Sequence, residues 1–164
     1  MTVGVAATAA DRLVVEPGGP LRGRVRVPGD KSISHRVLLL AALADGESTI
    51  RGLSDGGDVA NTRAIIEALG ATVVDDSDHA DPSGLPVIRV RGGRLGEPGH
   101  DLDVGNSGTG IRLLAGLLAG LPFTSVLDGD ASIRSRPMGR VLEPLRAMGA
   151  SVTGSGVDTG EDAG

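Results

Sequence analysis

Residues 24–36 read Arg24-Val25-Arg26-Val27-Pro28-Gly29-Asp30-Lys31-Ser32-Ile33-Ser34-His35-Arg36. The first four alternate in polarity as a strand does, Pro28-Gly29 makes a turn, and an apolar helix is predicted directly after it. A Lys, two Ser and an Arg therefore fall within about one turn at a helix start. Free amides at such a start carry partial positive charge, to which Lys31 and Arg36 add whole charges and the hydroxyls add donors. This is the chemistry of an anion clamp, and it points to a small, strongly anionic metabolite. A nucleotide-binding P-loop is rejected, because Asp30 replaces the Gly before the Lys and the upstream Gly spacing is absent.

The same plan recurs about 76 positions on, and the recurrence sets the fold class. Asp101-Leu102-Asp103-Val104 alternates, and Gly105-Asn106-Ser107-Gly108-Thr109-Gly110-Ile111-Arg112 turns into a second helix. Arg36 and Arg112 take equivalent early positions. The expected inward face is Ile33, Val37, Leu40, Ala41 and Ala44 in the first helix, and Leu113, Leu114, Leu117 and Leu118 in the second. A short strand follows each, Ser48-Thr49-Ile50 and Ser125-Val126-Leu127. Another helix comes next, from an N-cap at Asp58 through Ile65, Ile66 and Leu69 in one copy. In the other it starts with Pro137 in its first position and carries a stripe of Met138, Val141, Leu142, Leu145 and Met148. Both stop on Gly and open a strand, Leu69-Gly70-Ala71-Thr72-Val73 against Met148-Gly149-Ala150-Ser151-Val152. Copy one closes on a strand at Val87-Ile88-Arg89-Val90.

The expected fold class is α/β, built of repeated βαβαββ units: unit one at about 21–92 and unit two at about 100–153. Residues 1–12 read as a flexible leader. Residues 154–164 match the loop at 75–86 in place and polarity, so a strand is due where the chain stops. The expectation is a fragment cut in a loop, with a natural tail as the alternative.

Composition narrows the function. At 164 residues with 40% hydrophobic side chains, the chain is long and apolar enough to bury a core. One Phe and no Tyr or Trp leave nothing to stack on bases, and a net charge of −5 disfavours nucleic acid and anionic membranes alike. Basic groups that bind an anion must then be concentrated locally. No Cys is present, which rules out thiolate metal sites and Cys nucleophiles. The start lacks a basic-then-apolar signal pattern, so a soluble cytoplasmic protein is expected.

Two further segments carry site chemistry. The glycines of residues 105–110 let backbone amides approach and cradle phosphate or carboxylate oxygens, though a tight turn alone would also need them. Arg134-Ser135-Arg136-Pro137 offers two guanidinium groups for bidentate grip on such anions, against the plainer reading of a solvated loop. Asp55, Asp58, Asp128 and Asp130 are read as turn formers or caps rather than acid/base pairs. His35, His79 and His100 are scattered without a second ligand at metal spacing, and no metal site is expected.

Taken in order, the motifs at 28–36, 105–112 and 129–137 resemble the 5-enolpyruvylshikimate-3-phosphate synthase family, the 3-phosphoshikimate 1-carboxyvinyltransferases. The similarity runs from about Leu13 to Val152. The resemblance implies the enolpyruvyl transferase fold, in which two lobes each contain three such units, and makes this chain most of two units of the N-terminal lobe. It implies transfer of the carboxyvinyl group of phosphoenolpyruvate to shikimate 3-phosphate, with no cofactor, by a full-length monomer. Carried over by motif, Lys31, Ser32 and Arg36 hold shikimate 3-phosphate, and Lys31, Gly108 and Arg136 hold phosphoenolpyruvate, with Lys31 the catalytic group. Asn106, Thr109 and Arg112 shape the pocket. The family's acid/base carboxylate lies in a lobe that this chain does not match. His35 stands where Asn is common, and Leu113 where some members carry Pro. The alternatives are the sister transferase acting on UDP-N-acetylglucosamine, which typically carries Lys-Asn where this chain has Lys31-Ser32, and a non-catalytic phosphate-binding module.

Overall fold

A computed structural model describes residues 17–76 and 84–154. The expected leader at 1–12, His79 and all but the first residue of the expected terminal loop lie outside the described residues. The first half runs α1 (Lys31–Leu43), β1 (Gly46–Arg51), α2 (Gly57–Ala68), β2 (Thr72–Asp75) and β3 (Val87–Gly92). The second runs β4 (Leu102–Asp103), α3 (Gly108–Leu118), β5 (Leu127–Asp128), α4 (Ala131–Arg134) and α5 (Gly139–Ala147). The mixed α/β class expected from the repeat is the one observed.

In the first half β3 lies between β1 and β2 and is antiparallel to both, with Val90 opposite Ser48 on one side and Val73 on the other. In the second half β4 and β5 are parallel, and α3 supplies the crossover that a parallel pair needs. The core lies where α1, α2 and α3 meet over β3. Leu38, Ile66, Leu114 and Val90 are each fully buried there, one from each element. Burial of such side chains stabilises the fold by about 1.5–3 kcal/mol each. Gly92 allows the close approach of sheet to helix, since a Cβ there would collide with the carbonyls of Ala41 and Ala42.

Five local expectations are corrected. Residues 24–27 form no strand, and Val25 and Val27 are 87% and 73% exposed. Alternating polarity makes a strand only where a neighbour accepts its N–H and C=O groups, and no described strand pairs with this segment. Residues 150–152 also remain irregular, for the same reason. The helix after β1 is capped by Gly56, and Asp58 sits inside its first turn with another role. In the second half Pro137 lies two residues before α5, whose cap is Met138, and of the expected stripe only Leu142 is buried. The short α4 ahead of it was not anticipated.

The fifth correction is the face of α1. Ile33 and Leu40 are 62% and 65% exposed, whereas Ser34, His35, Leu38, Leu39, Ala41 and Ala42 are buried. From Val37 onward the helix is apolar all round, so periodicity does not select a side there. Two polar residues select it instead. His35 Nδ1 lies 2.7 Å from Thr62 Oγ1 on α2, and Ser34 Oγ accepts the Ser54 amide at 3.0 Å. Once each has a partner, burying that face leaves fewer orphaned polar groups.

Truncation of Leu114 to Ala should destabilise the chain by about 2–5 kcal/mol through lost burial and a residual cavity. Chemical denaturation followed by circular dichroism measures this, and a loss below about 1 kcal/mol would show that the α3 contact is not central to the core.

Candidate functional site

Each of the two helix starts is fixed by a side-chain cap. Asp30 Oδ1 accepts the Ile33 amide at 2.7 Å, and Ser107 Oγ accepts the Gly110 amide at 3.0 Å. Each cap satisfies one of the orphan amides and leaves its neighbours facing outward. The same internal bond recurs in both helices: Arg36 Nη1 donates to the Ser32 carbonyl at 2.9 Å, and Arg112 Nη1 to the Gly108 carbonyl at 2.7 Å. Counted from the caps, Arg112 comes one residue earlier than Arg36. The equivalence read from the sequence therefore holds in bonding but is offset by one position.

Backbone contacts lock these starts to their surroundings. Ser34 Oγ donates to the Asp30 carbonyl at 2.7 Å while accepting from Ser54, tying α1 to the loop after β1. Gly105 takes φ +61°, a conformation that favours glycine. Its carbonyl accepts the Asp130 amide at 2.8 Å. Gly129 packs so close to that carbonyl that a Cβ would collide with it. The turn before α3 and the turn after β5 thus move as one piece.

That second turn delivers Arg136. Arg134 grips Asp128 with Nε at 2.8 Å and Nη2 at 2.5 Å. This bond, with the Gly129 amide, holds the Asp128 carboxyl down at about 2. Asp130 caps α4 through the Ile133 amide at 2.9 Å, and Arg136 Nη2 donates to Ser132 Oγ at 3.2 Å. The guanidinium of Arg136 then lies over Gly108, where a Cβ would collide with it and crowd Arg112 Nη1. Of the two arginines read as one grip, Arg134 is spent on Asp128 and Arg136 reaches the site.

These elements enclose a cavity of about 560 Å³. Lys31, Arg36, Arg112 and Arg136 line it, together with Asn106, Gly108 and Thr109. Seven of the eight expected site residues therefore share one space. Ser32 is the exception: it is exposed beside Lys31, its carbonyl taken by Arg36, and it does not line the cavity. Asp58, Leu113, Asp130 and Ser132 also line the cavity and were not expected there. Asp58 forms an ion pair with Lys31, the only lysine among the chain's 16 basic residues. That pairing spans 27 positions, so no local pattern announces it. Four cations converge here in a chain of net charge −5. Such a wall suits a ligand with several negative charges. Among the described residues no group of three His, Asp or Glu side chains is placed to hold a metal ion, and no helix is long and apolar enough to cross a membrane.

Comparison with known proteins follows the same residues. A family model described as EPSP synthase (3-phosphoshikimate 1-carboxyvinyltransferase) matches residues 15–160. A 3-phosphoshikimate 1-carboxyvinyltransferase of Anaeromyxobacter sp. (strain K) is 51% identical over 148 residues, covering 90% of this chain and 32% of that protein. One of Bradyrhizobium sp. (strain BTAi1) is 55% identical over 137 residues, covering 84% and 30%. The solved EPSP synthase of Acinetobacter baumannii superposes with a TM-score of 0.71 at 38% identity, over 80% of this chain and 28% of that one. The chain spans about a third of the length of the curated relatives it matches.

Two outcomes are expected from this geometry. Gly108→Ala should push the Arg136 guanidinium off the cavity wall while leaving the fold intact, because the atom it meets is the end of a flexible side chain. Affinity for inorganic phosphate, measured by calorimetry, should fall about tenfold or more with the melting temperature nearly unchanged; retained affinity would contradict this placement. The second outcome concerns His35, whose pKa is lowered by burial, with Lys31 and Arg36 adding to the effect and Asp58 opposing it. A group depressed in the fold adds stability that is complete above its unfolded pKa near 6.5 and is lost as pH falls below it. The melting temperature of the wild type should therefore drop as pH is lowered from about 7 to 5, and that drop should be smaller in His35→Asn. Equal slopes in the two proteins would refute the assignment.

Proposed function

This chain belongs to the EPSP synthase (3-phosphoshikimate 1-carboxyvinyltransferase) family, and from that premise we propose that it forms the anion-gripping wall of a carboxyvinyl transferase site. The reaction moves the carboxyvinyl group of phosphoenolpyruvate to the 5-hydroxyl of shikimate 3-phosphate and releases phosphate. The observation that carries this reading is the convergence of Lys31, Arg36, Arg112 and Arg136 with two capped helix starts on one cavity.

In this reading Lys31, Arg36 and the exposed Ser32 receive shikimate 3-phosphate, while Lys31, Gly108 and Arg136 receive phosphoenolpyruvate. Asn106, Thr109 and Arg112 shape the pocket between them. The shikimate hydroxyl oxygen bonds to the enol carbon and releases its own proton to solvent as a proton reaches the methylene carbon, giving a tetrahedral adduct that still carries phosphate. The carbon–phosphate oxygen bond then breaks, a proton leaves the methyl group, and the double bond is restored. Charge on phosphate and carboxylate groups persists throughout, so fixed cations hold both substrates in contact and steady the departing phosphate. Lys31 is the group on this wall suited to touch both substrates, because a flexible ammonium presents three donors where a guanidinium presents a planar fork. Asp130 is committed to capping α4, so the carboxylate that moves the methylene proton is assigned to a part of the relatives that this chain does not match. No cofactor is invoked. The Lys31-Ser32 pair and the family match both favour this substrate set over UDP-N-acetylglucosamine.

Titration of the chain with shikimate 3-phosphate, followed by calorimetry, tests the assignment. Lys31→Met should weaken binding about tenfold or more, in keeping with loss of a charge-assisted hydrogen bond. Unchanged affinity would sink the role given to Lys31. The 164-residue chain should bind without turning over; measurable carboxyvinyl transfer by it would overturn the division of labour proposed here.

A further inference from the structure

Asp58 stands against the charge logic of the cavity. A carboxylate among anion-binding groups repels the ligand, and simple Coulomb reasoning says that its removal should tighten binding. Its neighbours suggest otherwise. From the first turn of α2 its side chain, 20% exposed, pairs with the Lys31 ammonium of α1. The Lys31 ammonium, and to a smaller extent the Ser107 hydroxyl, hold its carboxyl below the usual carboxylate range. Ser107 is itself 1% exposed and caps α3 by accepting the Gly110 amide. Since that bond occupies an oxygen lone pair, the single hydroxyl proton remains available for a carboxylate. One side chain on α2 therefore meets the key cation of the first helix start and lines the same cavity as the start of the second.

We propose that Asp58 is a positioning residue, which sets the Lys31 ammonium over the cavity. Lysine has four rotatable bonds, and holding its head in one place without a partner costs rotamer freedom. Asp58 supplies that partner before any ligand arrives, so Lys31 is preorganised. Asp58 lines the same cavity as Lys31. This proposal rests on the anion-wall reading above and names how that wall is held in shape.

The test uses inorganic phosphate as the probe. Asp58→Asn raises the local charge by one unit, so a bystander carboxylate predicts tighter phosphate binding. A positioning role predicts the opposite sign, a weakening of about three- to tenfold. In a Lys31→Met background the same substitution should cause no further weakening, since the group being positioned is gone. A second readout needs no variant. The single lysine gives a single side-chain ammonium resonance in a 15N-lysine spectrum, and pairing with Asp58 should slow its exchange with water enough to be seen near neutral pH. A wild type that binds phosphate, together with an Asp58→Asn protein that binds it equally or more tightly, overturns the positioning role alone. An absent ammonium resonance in the folded wild type also overturns it. A wild type that takes up no phosphate sinks the anion-wall reading and this proposal with it.

Discussion

Like charges resist being brought together, and this cavity brings four together. Two unit charges about 7 Å apart at an effective dielectric of 20 repel by about 2 kcal/mol. Lys31, Arg36, Arg112 and Arg136 share one space, so the fold must supply opposing interactions before any ligand does. It does so locally. Arg36 and Arg112 each bond a carbonyl four residues back, Arg136 bonds Ser132, and Lys31 pairs with Asp58. Each cation has a partner that fixes its direction, while the cavity keeps an excess of positive charge for the ligand.

The rest of the architecture follows from holding those partners still. The two cradles sit on different repeats, and their separation is set by the packing of α1, α2 and α3 around Leu38, Ile66 and Leu114. His35 bridges α1 to α2 through Thr62 directly beneath the site, and Gly105 joins the α3 turn to the α4 turn through the Asp130 amide. Glycine appears where neighbours come close: a Cβ would collide with the Asn61 side chain at Gly105, with the Arg136 guanidinium at Gly108 and with the Gly105 carbonyl at Gly129. Core and site are therefore coupled, and a change in helix spacing changes the distance between charges.

Much of this was legible in the sequence because it is local. Turn residues, Gly stops and cap side chains act within a few positions, so the helices after Asp30 and Ser107 and the strand at 87–92 were placed close to where they lie. Seven of the eight expected site residues line the cavity because they sit on two similar helix starts and one Arg-rich turn. What escaped depends on distant partners. The face of α1 is set by Thr62 and Ser54, the role of Asp58 by Lys31, and the failure of residues 24–27 to form a strand by the lack of a neighbouring strand among the described residues. A helix that is apolar all round carries no periodic signal for its buried side. An Asp near a helix start looks alike whether it caps the helix or leaves it for a lysine.

The central claim is that two helix starts, 77 positions apart in sequence, form one anion site. Backbone amide mapping by NMR during a titration with inorganic phosphate tests it most directly. The account predicts that the amides of residues 31–34 and 107–110 shift together along one binding curve with a single dissociation constant. Shifts confined to one of the two segments, or two curves with separate constants, would contradict it.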